Sequence, residues 1–473
     1  MIAMLLMHLY TGESTLKYRR FFKKMKNELS RSLTHRHIQM IAIGGAIGTG
    51  LFLGSGTAIQ KAGPALILAY LMAGIICFFM MRAIGELVLS DIKLTSFIDF
   101  VRKYLGERWE FVIGWTYWLC WISLAMADLT ASGIYLRYWF PFVPQWLVPL
   151  VIIITLLSFN LLSVGLYGEL ESWFASVKVL AIIALIITGV FLILFRVRIG
   201  DNVVSVNNLF AHGGFFPKGW SGLLAAFPMV IFAFTGIEMV GLTSGETENP
   251  KRDLPRAINS LPIRIGLFYI GSMFVIMCIY PWNEIVTSSS PFVQVFSGIG
   301  VKMAAGAINF VVLTAALSAC NSAIFSTSRT LFVLARSNKA PSSYAKTSSH
   351  GVPVQSLLFS SIVLLVIVLL NYVIPQSVFQ IISGVATISF IFVWIVLVIC
   401  HAKYKAALKG KKTSFSMPFY PFSSILTILF FAGVLFLLVL DKSTLLSVIF
   451  SLVWFIFLAF CYSLIPKKVK KKL

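Results

Sequence analysis

Three of the ionisable residues that fall inside predominantly apolar stretches stand out. Asp128 falls within the apolar block 109–138, Lys178 within 171–195 and Glu238 within 220–243. A charge held in an apolar bundle is costly, so such residues are candidates for moving ions or protons. Burial disfavours the charged form of acid and base alike, which makes Lys178, Glu238 and Asp128 candidate proton carriers. Each has a structural alternative. Lys178 could snorkel to a membrane face, Asp128 could bond across helices, and Glu238 could cap an unwound segment.

Two glycine-rich blocks supply a second kind of chemistry. IQMIAIGGAIGTGLFLGSG carries Gly44, Gly45, Gly48, Gly50, Gly54 and Gly56. Each glycine costs a helix about 1 kcal/mol relative to alanine, so the ladder is weakest at Gly48-Thr49-Gly50. Unwound there, Ile47, Gly48, Thr49 and Gly50 would aim backbone N–H groups at an anion such as a substrate carboxylate. The pairs Gly44/Gly48 and Gly50/Gly54 also have the small-xxx-small spacing that serves close helix packing.

FPMVIFAFTGIEMVGLTSG carries Pro228, Gly236, Gly241 and Gly245. Unwound carbonyls along Phe232, Ala233, Phe234, Thr235 and Gly236 would accept bonds from an ammonium, with Phe232 or Phe234 walling the pocket. A zwitterion needs donors for one end and acceptors for the other, and the two blocks together offer both. Ser318, Asn321, Ser322 and Ser326 recur at helical spacing. They could line the pathway, with Asn321 in the substrate site, or hold helices together. Arg82 and Glu86, four residues apart, read as a structural pair or a gate latch.

These residues need a scaffold, and composition says which. The chain is 58% hydrophobic and 12% charged, with mean hydropathy +0.90, which is a membrane composition. Twelve apolar blocks long enough to cross a bilayer as helix lie near 38–60, 64–90, 109–138, 146–166, 171–195, 220–243, 257–281, 300–335, 353–374, 377–402, 423–440 and 443–465. The blocks 109–138 and 300–335 exceed one crossing, so each should tilt or run on beyond the membrane.

A net charge of +22 would suggest nucleic acid, but the basic residues fall in alternate loops. They cluster at 17–36, at Arg102, Lys103 and Arg108, at Lys251, Arg252 and Arg256, at Arg336 and Lys339, at 403–412 and at 467–472. By the positive-inside rule these loops and both termini are expected in the cytoplasm. The loop 163–170, also expected inside, has Glu169 and no Lys or Arg.

The two glycine-rich blocks open two sets of five spans. Interrupted spans in corresponding positions point to an inverted-repeat transporter with its substrate at the breaks. The expected fold is therefore an all-α membrane protein of about twelve transmembrane helices. Its parts are a basic segment 1–37, a first five-helix repeat 38–195, a second 220–402, two added helices in 423–465 and a basic tail 466–473. The segments 93–111 and 250–262 are basic and amphipathic, and are expected at the membrane interface.

Several chemistries find no support. All six Cys lie in apolar blocks without metal-ligand spacing, and none of the six His is expected deep in a span. No phosphate-binding GxxxxGK[ST] and no Ser/His/Asp grouping occurs, so neither an enzyme nor a cofactor is expected. MIAMLLMHLY lacks a basic n-region and a small-residue cleavage site, so no signal peptide is expected. A channel or a nutrient sensor is the alternative of another class, but no filter-like repeat or soluble domain supports either.

The chain resembles the amino acid-polyamine-organocation superfamily, and within it the bacterial amino acid transporter family. The resemblance rests on RHIQMIAIGGAIGTGLFLGSG, RAIGELVLS, GWTYWLCW, SWFASVKVLAI, FAFTGIEMVGLTSGETENPKRDLPRAINSLPIRI and NFVVLTAALSACNSAIFSTSRTLFVLA, and spans residues 31 to 465. It implies a proton-coupled permease of the inner membrane, with the glycines of the first span holding the substrate carboxylate and the backbone of the sixth its amino group. Lys178, in ASVKVLA, matches a position where some relatives place a lysine instead of a sodium ion.

Through GWTYWLCWISLAMAD, IFAFTGIEMVG and RAINSLPIRI the chain looks most like the D-serine/D-alanine/glycine transporters. That implies symport of small neutral amino acids, namely glycine, alanine and serine with their D-isomers. It departs at LTSGETENP, where that subgroup usually has a threonine-alanine-rich stretch. Proline, gamma-aminobutyrate, asparagine and aromatic amino acids therefore stand as alternative substrates.

Overall fold

The computed structural model describes residues 47–91, 94, 96–162, 164–200, 202–239, 249–298, 302–348, 351–411 and 413–464, with backbone alone at 162, 164–172 and 302. The expected basic segment 1–37, the tail 466–473 and Gly44, Gly45, Gly241 and Gly245 lie outside these residues.

Runs of Leu, Ile, Val, Phe and Ala without water must satisfy their backbone internally, and helices do so within one segment. The described chain is accordingly helical apart from a two-residue hairpin, β1 (Arg198–Ile199) with β2 (Asn202–Val203). The helices begin with α1 (Thr49–Phe52), α2 (Gly54–Ala62), α3 (Leu66–Ser90), α4 (Phe97–Leu105), α5 (Glu107–Leu136), α6 (Leu147–Leu162) and α7 (Val164–Leu194). Next come α8 (Gly219–Phe234), α9 (Pro250–Asn259), α10 (Leu261–Arg264), a π-helical stretch Ile265–Gly271, α11 (Ser272–Ile279) and α12 (Pro291–Gly298). The chain continues with α13 (Lys302–Arg336), α14 (Val354–Leu364), α15 (Val366–Val373), α16 (Val378–Ala407), α17 (Phe422–Leu440) and α18 (Leu445–Leu464).

Every apolar block read from the sequence contains helix. Among the described residues nine helical stretches are long and apolar enough to cross a membrane, and α6 and α8 are shorter apolar helices. The long blocks behave as single elements, α13 running 35 residues, or about 52 Å at 1.5 Å per residue. That exceeds a hydrocarbon core of about 30 Å, so α13 tilts or projects. The loop expected at 163–170 is a correction: α7 already begins at Val164, two residues after the last residue of α6.

Burial sorts the helices. In α5 and α16, 89% and 78% of the most apolar window is covered by protein, against 22% in α18, so the first two form the centre and the last the rim. On α18, Ile449, Phe450, Val453, Ile456 and Phe457 are exposed together, an apolar face that water would not tolerate and lipid would. The molecule is a multi-pass membrane protein.

The amphipathic segments expected at 93–111 and 250–262 form α4 and α9. Ser96 starts α4 with a capping box, its hydroxyl accepting from Ile98 N while Asp99 accepts from Ser96 N. Gly106, at φ 92, ends it. The face Phe97, Ile98, Phe100 and Val101 is fully buried, so α4 docks on the bundle. At the centre α5 lies along α13 and α16, while α8 packs on α1 and α2.

Candidate functional site

The first glycine block breaks where its backbone is weakest. Gly48 is extended (φ −131, ψ −161), α1 makes one turn, and Leu53 (φ −110) separates it from α2. The Thr49 hydroxyl donates to Asp128 Oδ1 at 2.7 Å, both residues being buried. Asp128 therefore bonds across helices, and its partner stands inside the break.

The second block breaks at Thr235–Gly236. Thr235 is extended (ψ 142) at the end of α8, and Gly236 has φ 93, a conformation that strains any side-chain-bearing residue. The two breaks touch. A Cβ added to Gly50 would lie 2.6 Å from Ala233 Cα and 2.9 Å from Ala233 N, so glycine is what lets the backbones meet. At Gly48 the nearest atom to such a Cβ is the Ala319 methyl at 3.6 Å, ordinary contact. Gly50 thus serves close packing, and the packing it allows is between the breaks themselves.

The carbonyls of the second break already have protein donors. Phe232 O accepts from Thr235 N (3.1 Å) and Thr235 Oγ1 (2.7 Å), Ala233 O from the Tyr269 hydroxyl (3.0 Å), and Phe234 O from Ile237 N (3.4 Å). A carbonyl has two lone pairs, so among the described residues Ala233 and Phe234 each retain one acceptor position while Phe232 retains none. This narrows the acceptors expected from the sequence. Phe234 stacks on Tyr269 (4.9 Å, 14°), whereas Phe232 meets Phe379 edge-on (6.0 Å).

Tyr269 was not singled out by sequence reasoning. It lies in the π-helical stretch, whose widened turn is a feature common at functional sites. Tyr70 is beside it (5.5 Å), and its buried hydroxyl has no hydrogen-bond partner among the described residues. The only sequence signal was a polar aromatic inside an apolar block.

Asn321 on α13 is buried, and its Oδ1 accepts from Asn160 Nδ2 of α6 at 2.7 Å. Its own Nδ2 has no hydrogen-bond partner among the described residues, an orphan donor of the kind a ligand satisfies. Lys178 on α7 is fully buried. The snorkelling alternative is thereby removed, since its side chain reaches no surface of the described protein.

Glu238 is also fully buried, and the Tyr117 hydroxyl donates to its Oε1 at 3.2 Å. Tyr117 and Asp128 are eleven residues apart on α5, about 16 Å along its axis. The two acids therefore occupy different levels of the bundle. Asp128 belongs with the paired breaks, and Glu238 with the aromatic cluster of Tyr117, Phe97 (4.8 Å) and Trp121 (5.9 Å).

A profile of the amino acid permease family matches residues 37–473. The chain belongs to that family. It is 54% identical over 448 residues to an amino-acid permease of Bacillus subtilis (strain 168), covering 94% of this chain and 97% of the relative. It is 44% identical to the D-serine/D-alanine/glycine transporter of Escherichia coli (strain K12), covering 94% and 95%. An aromatic amino acid transport protein of Salmonella typhimurium (strain SL1344) is 41% identical, covering 94% and 97%. This amino acid permease is a transport protein and not an enzyme.

The permease holds a further buried carboxylate, Glu86, toward the end of α3. Of the two readings of Arg82 and Glu86, a structural pair or a gate latch, no direct pair is made among the described residues. Glu86 receives Lys405 Nζ (2.8 Å), the Thr413 hydroxyl and Met417 N (2.8 Å), and His401 Nε2 lies 2.9 Å from it. Arg82 instead donates to Ser416 O and to Asn259 Oδ1 (2.8 Å), and its guanidinium covers the Phe415 ring at 3.7 Å. Both residues thus clamp the strap 413–417, which leads into α17, onto the end of α3. His401, near the end of α16, is fully buried and lies beside the same carboxylate that Met417 N of the strap donates to.

In the last turn of α2, Lys61 pairs at 2.8 Å with Asp441, the residue that follows α17, both side chains about one-quarter to one-third exposed. Burial would raise the Asp441 pKa, but Lys61 and the Ser443 donors outweigh it and hold the carboxyl at about 2.

Proposed function

We propose that this permease is a secondary active, proton-coupled symporter of small neutral amino acids, glycine, alanine and serine, with D-isomers accepted. The observation that carries the reading is the contact of the two breaks at Gly50 and Ala233, which joins unwound backbone from two helices in one buried place. In this reading the substrate carboxylate lies at Ile47, Gly48, Thr49 and Gly50, with the Asn321 amide as a further donor to the substrate. The ammonium lies at the remaining lone pairs of Ala233 and Phe234, with Phe232, Thr235 and Gly236 shaping the turn. Recognition through backbone groups fixes the α-carbon substituents and leaves little room for a large side chain.

Twelve spans, an inverted five-plus-five core over 38–195 and 220–402, and termini on the cytoplasmic face of a bacterial inner membrane complete the proposal. The corresponding positions of the breaks and the alternation of basic loops support it. The E. coli relative named for D-serine, D-alanine and glycine supports the substrate class. The relative named for aromatic amino acid transport favours a second reading, in which the same site accepts an aromatic side chain.

Lys178 is the proposed coupling residue, with Glu238 and Asp128 as the other candidates. A buried lysine that is neutral in one conformation and charged in another changes which conformation is stable. The test is uptake of a labelled amino-acid panel by proteoliposomes under an imposed pH gradient, paired with counterflow. Glycine and D-alanine should accumulate, and a protonophore should abolish accumulation. Lys178→Ala should spare counterflow more than gradient-driven uptake. If tryptophan outcompetes glycine, the substrate class is wrong; if Lys178→Ala concentrates glycine like the parent, coupling passes to Glu238 or Asp128.

A further inference from the structure

An apolar crevice of about 1040 Å³ lies between α5, α14–α15, α16 and α18, and none of the helices that carry the breaks lines it. Its walls include Trp118, Phe359, Val385, Val453 and Trp454. The indole N–H groups of Trp115 and Trp118 are already spent on Lys339 O (3.1 Å) and Ser360 Oγ (3.0 Å), whereas the buried Trp454 N–H has no hydrogen-bond partner among the described residues, so the walls are carbon but for that donor and the Ser123 hydroxyl. On α5 the lining runs from Phe111 to Met126, and on α18 from Leu446 to Cys461. Each run covers about 22 Å at 1.5 Å per residue, most of a hydrocarbon core of about 30 Å. The occupant that fits is long, apolar and parallel to the helices, and it has access from the lipid-facing side of α18, where Ile449, Phe450 and Val453 are exposed.

The crevice has one polar end. Among the described residues Lys339 is the sole charged side chain lining it, and its ammonium is paired with Glu107 at 3.2 Å. That pair cancels, and Glu110 in the same turn of α5 is buried. Two exposed guanidinium groups remain, Arg108 beside Glu107 and Arg336 three residues before Lys339. Neither guanidinium lines the crevice, but each stands three residues from a lining residue, Phe111 or Lys339, and a hydrocarbon slot with cations just beyond one end matches a molecule with an anionic head and hydrocarbon chains.

We propose that the crevice binds one anionic diacyl phospholipid, with its chains between α5 and α18 and its phosphate at Arg108 and Arg336. The headgroup supplies the anion that the Glu107–Lys339 pair does not, and the chains replace water-free void along Trp118 and Val453. The assignment is independent of which amino acid the permease carries.

Native mass spectrometry of the purified full chain tests it, after delipidation and exposure to phosphatidylglycerol and phosphatidylcholine of identical chains. One phosphatidylglycerol should be retained per chain, preferred by about tenfold or more, as two basic side chains at an anionic headgroup supply. Val453→Trp fills the crevice and should abolish retention. Arg108→Gln with Arg336→Gln should keep a lipid but erase the preference. Should Val453→Trp not be monodisperse, Val385→Phe fills the same space from α16. Retention of neither lipid, equal retention of both by the parent, or an undiminished preference in the filled variant would overturn the proposal. So would a dimer that dissociates on filling, which would assign the crevice to a second copy of the chain.

Discussion

At the end of α3 the Glu86 carboxylate is buried beneath the strap 413–417 and contacts a histidine, a lysine, a threonine and a backbone amide. Lys61, in the last turn of α2, and Asp441, at the end of α17, make one ion pair that water reaches. Both tie the core helices to the segments flanking α17, yet their energetics differ. A buried carboxylate that loses its partners leaves charge in a low dielectric, whereas a half-exposed pair exchanges its partner for water. The comparison implies that the strap end is the stiff attachment of α17 and the Lys61 end the yielding one.

Removing Glu86 should have the largest effect. Glu86→Ala strands His401 and Lys405 under the strap and should cost about 3–5 kcal/mol, read as a large fall in the thermal midpoint of the purified permease. A parent-like midpoint would show that the two ends are equivalent. Arg82→Gln removes the guanidinium from Ser416 O and Phe415 but leaves Glu86 satisfied. It should cost about 1 kcal/mol, with faster proteolysis in the strap as the local readout.

Lys61→Ala should be the mildest change, about 0–1 kcal/mol and smaller still at high salt. The pH dependence has a definite sign. Asp441 is held below the ordinary aspartate range, so its contribution is complete above about pH 4 and is lost as pH falls through about 2. Acid titration of stability should therefore show a component in that window in the parent that is reduced in Lys61→Ala. An unchanged profile would mean that Ser443, and not Lys61, sets the acidity of Asp441.

What the sequence revealed and what it hid follow from the range of the forces involved. Hydropathy is local, so each apolar block could be found, and glycine's cost to a helix is local, so both breaks fell where the residues placed them. Pairing is not local. The partners of Glu86 lie 315 to 331 residues away, and the Thr49–Asp128 bond joins residues 79 apart. Membrane helices are apolar all round, so their sequence does not say which face meets which neighbour. That is why Arg82–Glu86 read as a pair, and why Asn160, Tyr70 and Tyr269 were missed. The burial of Lys178 had the same origin, since snorkelling and burial differ only in what packs around the stem.

The central claim is that substrate binds where the breaks meet. Gly48 offers the cleanest probe, because its added Cβ would make only ordinary contact with Ala319, whereas one at Gly50 would collide with backbone. Titration calorimetry of glycine against the parent and Gly48→Leu, both confirmed monodisperse and thermally stable, compares binding with the fold held constant. The account predicts that the parent binds and that Gly48→Leu weakens binding by tenfold or more, about 1.4 kcal/mol, because its side chain fills the carboxylate position. Parent-like affinity in a folded Gly48→Leu would contradict it and remove the first break from the site.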